Sequence, residues 1–142
     1  MPSFQTSRRV EFCDTDMAGI VHFANFFRYM EAAEHELFRH LGLKISGQLA
    51  DGQAYGWPRV SATCSYQSPA RYEDVLDVRI TVQQRGPRSL TTHYEFHLEE
   101  RLLAKGEMKT VFCLIPPQGR MQSADIPVEI AAALDRYLAN DG

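Results

Sequence analysis

Two acids one residue apart precede a glycine, an aliphatic pair and a histidine: Asp14-Thr15-Asp16-Met17-Ala18-Gly19-Ile20-Val21-His22. A strand pattern runs into this loop and an amphipathic helix pattern runs out of it. That order sets the Asp16 carboxylate beside a helix start. Helix starts carry N–H groups without intrahelical acceptors and a partial positive charge. An acid beside such a terminus suits attack on, or hydration of, a polarised carbonyl. Aspartate is also a common turn residue. Spacing alone therefore leaves a second reading, in which Asp14 and Asp16 only cap the turn.

Other residues with chemical potential are weaker. His22, at the helix entry, is read either as a substrate contact or as a satisfied structural imidazole. Glu34 falls on the helix's apolar stripe, and a buried carboxylate must be paired or protonated. A buried salt bridge is the expected outcome, ahead of a place in a pocket or a subunit interface. His35 and His40 are five apart and point to different helix faces, whereas a zinc-protease helix needs four. His93 and His97 share a strand face but stand ~13 Å apart, too far for one metal. No metal site is expected. Cys13, Cys64 and Cys113 are an odd number at wide spacing, which fits neither a disulfide framework nor a metal ribbon.

The elements that must hold these residues follow from periodicity. Residues 4–12 read as a strand of modest strength. Residues 23–41 read as a long helix with Phe23, Phe26, Phe27, Met30, Glu34, Leu37, Phe38 and Leu41 on one face. Gly42 suits the position after its end. Val60 to Gln67, Asp77 to Gln83 and Leu90 to Glu99 alternate at period 2, and residues 104–115 do so less cleanly. Short connections such as Arg85-Gly86-Pro87-Arg88 and Glu99-Glu100-Arg101 make an antiparallel meander. Pro127 opens a short C-terminal helix. The class is α+β: one long helix on a curved antiparallel sheet of about five strands. An edge strand left open predicts pairing across a subunit boundary.

Composition sets the outer bounds. A chain of 142 residues suggests one domain, spanning 1–142. The net charge of −3 argues against nucleic acid as main partner. No run approaches the ~20 apolar residues of a membrane span. The first residues lack the apolar core of a secretory signal, and with the cysteine usage this leads to the expectation of a cytoplasmic protein.

Asp14 to Val21, followed by Asn25-Phe26-Phe27-Arg28-Tyr29-Met30-Glu31-Ala32-Ala33, resembles the 4-hydroxybenzoyl-CoA thioesterase family of hotdog-fold acyl-CoA thioesterases. Tyr72-Glu73-Asp74-Val75-Leu76 is similar to a later family segment. The resemblance implies the hotdog fold, in which the sheet wraps the central helix. It implies that Asp16 is the catalytic carboxylate and that the Phe23 backbone N–H at the helix start meets the thioester carbonyl. His22 sits just before that donor. Trp57, Pro58 and Arg59 match the start of the strand lining the acyl pocket. Arg88 and Ser89 lie in the turn that holds coenzyme A phosphates, where Gly86 and Pro87 replace a denser basic run. Arg85 compensates for it, and Arg120 is a further nucleotide candidate. No cofactor is implied, since coenzyme A is part of the substrate. A homodimer or homotetramer with sites between subunits is implied.

The leading function is thus hydrolysis of an acyl-CoA thioester to free acid and coenzyme A. The alternatives are a thioesterase acting on acyl carrier protein and a non-catalytic acyl-CoA-binding hotdog protein. Phe23, Phe26, Phe27, Tyr29 and Trp57 suit an aromatic acyl pocket and an aliphatic one equally. The motif does not name the acyl group.

Overall fold

The structure is a computed structural model that describes residues 2–139. The chain enters as β1 (Phe4–Arg9), turns through a short 3-10 segment (Phe12–Asp14) and passes a loop into α1 (Asn25–His40). Two short strands follow, β2 (Gly47–Gln48) and β3 (Ala54–Gly56). Four long ones come next: β4 (Arg59–Tyr66), β5 (Val75–Arg85), β6 (Ser89–Leu98) and β7 (Arg101–Val111). The chain ends with β8 (Cys113–Leu114), β9 (Gln122–Ser123) and α2 (Val128–Asp135).

Alternation builds the main sheet. In β6, Leu90, Thr92, Tyr94 and Phe96 are buried, while His93, Glu95 and His97 sit on the other face. β5 does the same with Leu76, Val78, Ile80 and Val82. The order is β1-β5-β6-β7-β4, antiparallel at every pairing, which is the wrapped-helix α+β architecture expected of a hotdog fold. A second, smaller sheet, β2-β3-β8-β9, was not read from the sequence. Its strands of two or three residues are too short to show a period.

The helix lies on the inner face. Phe26, Tyr29, Met30, Ala33 and Leu37 pack with Leu76, Val78, Ile80, Tyr94, Phe96 and Met108 in one core. Gly106 on β7 makes room for it, since a Cβ there would stand 2.2 Å from the Met30 sulfur. A second core gathers Phe38, Trp57, Phe112, Ile126 and Leu134 under α2 and the small sheet. The predicted stripe is displaced at its start. Phe23 precedes the helix and is 61% exposed, and Tyr29 and Ala33 take buried places that the periodicity left out.

β4 is the edge of the main sheet and is exposed along nearly its whole length. Its apolar Val60 and Tyr66 are 58% and 44% exposed. Among the described residues no helix is long and apolar enough to cross a membrane.

Candidate active site

Local hydrogen bonds fold the loop before α1 onto itself. Thr15 and Val21 form a bridge, the Asp16 N–H donates to the Ile20 carbonyl at 2.9 Å, and the Gly19 N–H donates to the Asp16 carbonyl at 2.9 Å. Gly19 takes a φ of 79°, the left-handed region that favours glycine. The Val21 N–H donates to the Ala70 carbonyl at 2.8 Å, which ties the loop to the segment entering β5.

The two acids do different work. Asp14 is engaged in structure. Its Oδ2 accepts the Glu11 N–H at 3.0 Å and the Tyr29 hydroxyl at 2.8 Å. Its carbonyl accepts the His22 N–H at 2.9 Å and the Asn25 side-chain amide at 2.8 Å. Burial, and then the bond to Asp14, push the Tyr29 phenol well above its ordinary range. Asp16 uses one carboxylate oxygen in its own turn, where Oδ1 accepts the Ala18 N–H at 2.9 Å. Among the described residues Oδ2 has no donor. Both acids therefore cap turns: Asp14 Oδ1 meets only the Cys13 thiol, at 3.9 Å, while Asp16 lines a cavity and keeps Oδ2 without a donor among the described residues.

The helix start sits opposite. Ala24 is the N-cap and makes no side-chain capping bond. The Asn25 side chain reaches back to the Asp14 carbonyl. The Asn25 N–H donates to the His22 carbonyl at 2.9 Å and the Phe26 N–H to the Phe23 carbonyl at 3.3 Å. That carbonyl also accepts the Tyr66 hydroxyl at 3.0 Å. Burial, with Cys64 beside it, pushes Tyr66 up to about 12, so it stays a donor across the neutral range. The Phe23 N–H has no acceptor among the described residues.

Asp16 and Phe23 line one cavity of ≈450 Å³, with Ile20, Val21, Phe26, Tyr66, Pro69 and Ala70. Asp16 and Phe23, the residue whose N–H is free at the helix start, thus line one cavity with an apolar wall. A larger cleft of ≈790 Å³ lies beside the small sheet, where Arg120 and Ile115 line it. Asp16 and Phe23 are not in its wall.

The other sequence candidates stand elsewhere in the protomer. Trp57 belongs to the second core, and its buried Nε1–H has no acceptor among the described residues. Pro58 precedes Arg59 at the far end of β4 from Tyr66, ~23 Å away at strand spacing. Arg59 Nη2 is 3.1 Å from both Glu31 Oε2 and Glu34 Oε1, so the buried Glu34 has the salt bridge its position demanded. Burial raises the Glu34 carboxyl and Arg59 opposes that rise. Arg85 forms a two-pronged pair with Asp135 of α2, at 2.5 and 2.9 Å. Arg88 pairs with Asp125 at 2.9 Å and with the Ser123 hydroxyl at 3.2 Å. Ser89 opens β6 beside them. The chain thus brings Asp16 and Phe23 into one cavity, with His22 next to Phe23, and leaves the other seven candidates apart. Sequence reading passed over Tyr66, Pro69 and Ala70. Tyr66 ended an alternating strand, and nothing local marked it as facing a loop 43 residues earlier.

Comparison with known proteins gives these geometries a family. Residues 10–134 match the model of the thioesterase-like superfamily. The chain is 31% identical to a 4-hydroxybenzoyl-CoA thioesterase of Pseudomonas sp. strain CBS-3, over 77% of this chain and 76% of that one. It is 28% identical to the acyl-CoA thioester hydrolase YbgC of Escherichia coli O6:H1, over 91% and 93%. Among solved structures, a 1,4-dihydroxy-2-naphthoyl-CoA thioesterase from Synechocystis superposes with a TM-score of 0.81 at 26% identity, covering 93% of this chain and 95% of that one.

Proposed function

The chain belongs to the thioesterase-like superfamily, and from that premise we propose that it hydrolyses an acyl-CoA thioester to the free acid and coenzyme A. The observation that carries the reading is the shared cavity of Asp16 and Phe23. The thioester carbonyl oxygen meets the Phe23 N–H at the positive end of α1. Asp16 Oδ2 then acts by one of two routes. As nucleophile it bonds to the carbonyl carbon, the thiolate of coenzyme A leaves, and water cleaves the resulting anhydride. As general base it takes a proton from water, whose oxygen adds to the same carbon, and the adduct then collapses with loss of the coenzyme A thiolate, which takes up the proton. In both routes the oxyanion develops against the Phe23 N–H, and one such donor contributes about 3–4 kcal/mol. Coenzyme A enters as part of the substrate.

Asp16→Asn tests the assignment. Thiol release is followed over a panel of aromatic, short-chain and long-chain acyl-CoAs. The variant is expected to bind the substrate the native chain hydrolyses and to lose kcat by about 10²–10⁴. Equal activity in the variant removes Asp16 from the reaction. A native chain that hydrolyses no member of the panel turns the reading toward carrier-protein thioesters or toward binding alone.

A further inference from the structure

The helix that supplies the Phe23 N–H has neither of the usual devices at its start. Its N-cap is Ala24, and its first turn holds no acid. The capping acceptor comes from outside the helix. His22 Nδ1 accepts the Ala24 N–H at 3.2 Å. The same residue donates its own N–H to the Asp14 carbonyl and accepts the Asn25 N–H at its carbonyl, both at 2.9 Å. Its ring stacks on that of Phe23, with centroids 4.6 Å apart and planes at 28°. His22 is thus bonded on both sides of the Phe23 N–H.

We propose that His22 is a pH-sensitive positioning residue, whose neutral imidazole caps α1 through the Ala24 N–H and so holds the Phe23 N–H on the substrate carbonyl. The proposal rests on the thioesterase reading above. Nδ1 accepts a hydrogen bond only when it carries no proton, which puts the ring hydrogen on Nε2. Protonation adds a second N–H that points at the first, and the attraction becomes a repulsion. The turn over residues 22–25 then loses its side-chain acceptor. Among the described residues, the titratable and charged groups tied to this turn are Asp14, Asp16 and Cys13 of the loop, Tyr29 of α1 with Arg8 of β1 over its ring, and Tyr66 of β4 with Cys64 beside it. Both phenols are pushed upward and hold their protons near neutrality. Imidazole is the side chain that ordinarily changes charge between about pH 5 and 8.

The test has one arm that needs no substrate. In the ¹⁵N-labelled chain, the Nε2–H tautomer of His22 is expected at about pH 8, with the Ala24 amide moving at the midpoint of the ring. In kinetics, kcat is expected to fall with pH through that same midpoint while KM changes less than about twofold. His22→Asn keeps a side-chain oxygen able to accept the Ala24 N–H. It is expected to hold kcat within about fivefold and to lose the acid limb, whereas His22→Ala drops kcat about tenfold at all pH values. An Nδ1–H tautomer, an Ala24 amide indifferent to the ring, or an unchanged limb in His22→Asn each overturns the proposal. If the Ala24 amide tracks the ring but no acyl-CoA is hydrolysed, the thioesterase reading is what fails, and His22's part in that reaction fails with it.

Discussion

At the scale of single residues, the sharpest contrast is between groups whose bonds are all made and groups left with one to make. Asp14 Oδ2 is bound twice, by the Glu11 N–H and the Tyr29 hydroxyl, and Asp16 keeps one oxygen without a donor among the described residues. Trp57 belongs with the second kind, because its indole N–H is buried with no acceptor among the described residues. An unmade hydrogen bond of this sort costs about 1–3 kcal/mol. Trp57→Phe removes that donor and some packing together, against Phe38 and Phe112 at ring distances of 5.9 and 5.2 Å. The two effects oppose each other. The expected change in folding free energy is therefore within about 1 kcal/mol, a small loss for so large a buried aromatic. Urea unfolding measures it. A loss of about 3 kcal/mol or more would mean that the indole N–H has an acceptor in the native protein. If the indole also meets substrate, KM rises in this variant while Tm stays put.

At the scale of elements, long strands and the helix were legible because period 2 and period 3.6 persist through them. β6 reads inward and outward without a break from Leu90 to Leu98, and β5 nearly so. Boundaries were less legible. The expected strand over 4–12 stops at Arg9, since Phe12–Asp14 coil into a 3-10 turn that Asp14 itself closes. The helix expected from residue 23 starts at Asn25, because the His22 and Phe23 carbonyls are taken up in the turn before it. The closeness of Asp16, His22 and Phe23 was legible because they lie within eight residues of sequence. Tyr66 was not, because its role depends on β4 folding back toward the loop. The Glu34 ion pair was legible because one acid on an apolar stripe calls for a cation, and Arg59 supplies it from another element.

That bridge between α1 and β4 makes a pH-dependent prediction. Glu34 is raised by burial, and removing Arg59 raises it further. A raised carboxyl contributes stability that is present below its unfolded value and lost as pH rises through its folded value. Arg59→Met should therefore be destabilised more at pH 8 than at pH 5. Breaking a buried pair costs about 3–5 kcal/mol, and the partial exposure of Arg59 brings the expectation to about 2–4 kcal/mol at neutral pH. Adding Glu34→Gln should recover most of it. Equal losses at both pH values would show that Arg59 matters through packing alone.

At the scale of the whole molecule, one distance governs. Asp16 lies near the end of the sheet where β5 begins, since Val75 pairs with Arg9 at the entry to the loop. Arg85, Arg88 and Ser89 lie at the other end of β5, ~33 Å along the strand. One chain does not close that gap, and we propose that the exposed edge of β4 pairs with a second copy that does. A two-fold dimer paired through β4 runs the strands antiparallel and sets opposite ends of the two sheets side by side. A site made between copies has a signature that a site within one copy lacks. Asp16→Asn and a turn variant, Arg88→Glu with Ser89→Asp, should each be nearly inactive alone. Co-expressed and allowed to exchange, half of the dimers are mixed, and each mixed dimer holds one site with both faults and one with neither. Activity should return to about a quarter of the native value. A site contained in one protomer regains nothing on mixing, because every protomer still carries a fault. Thiol release from the mixture, with the mixed dimer isolated by two affinity tags, decides between the two arrangements.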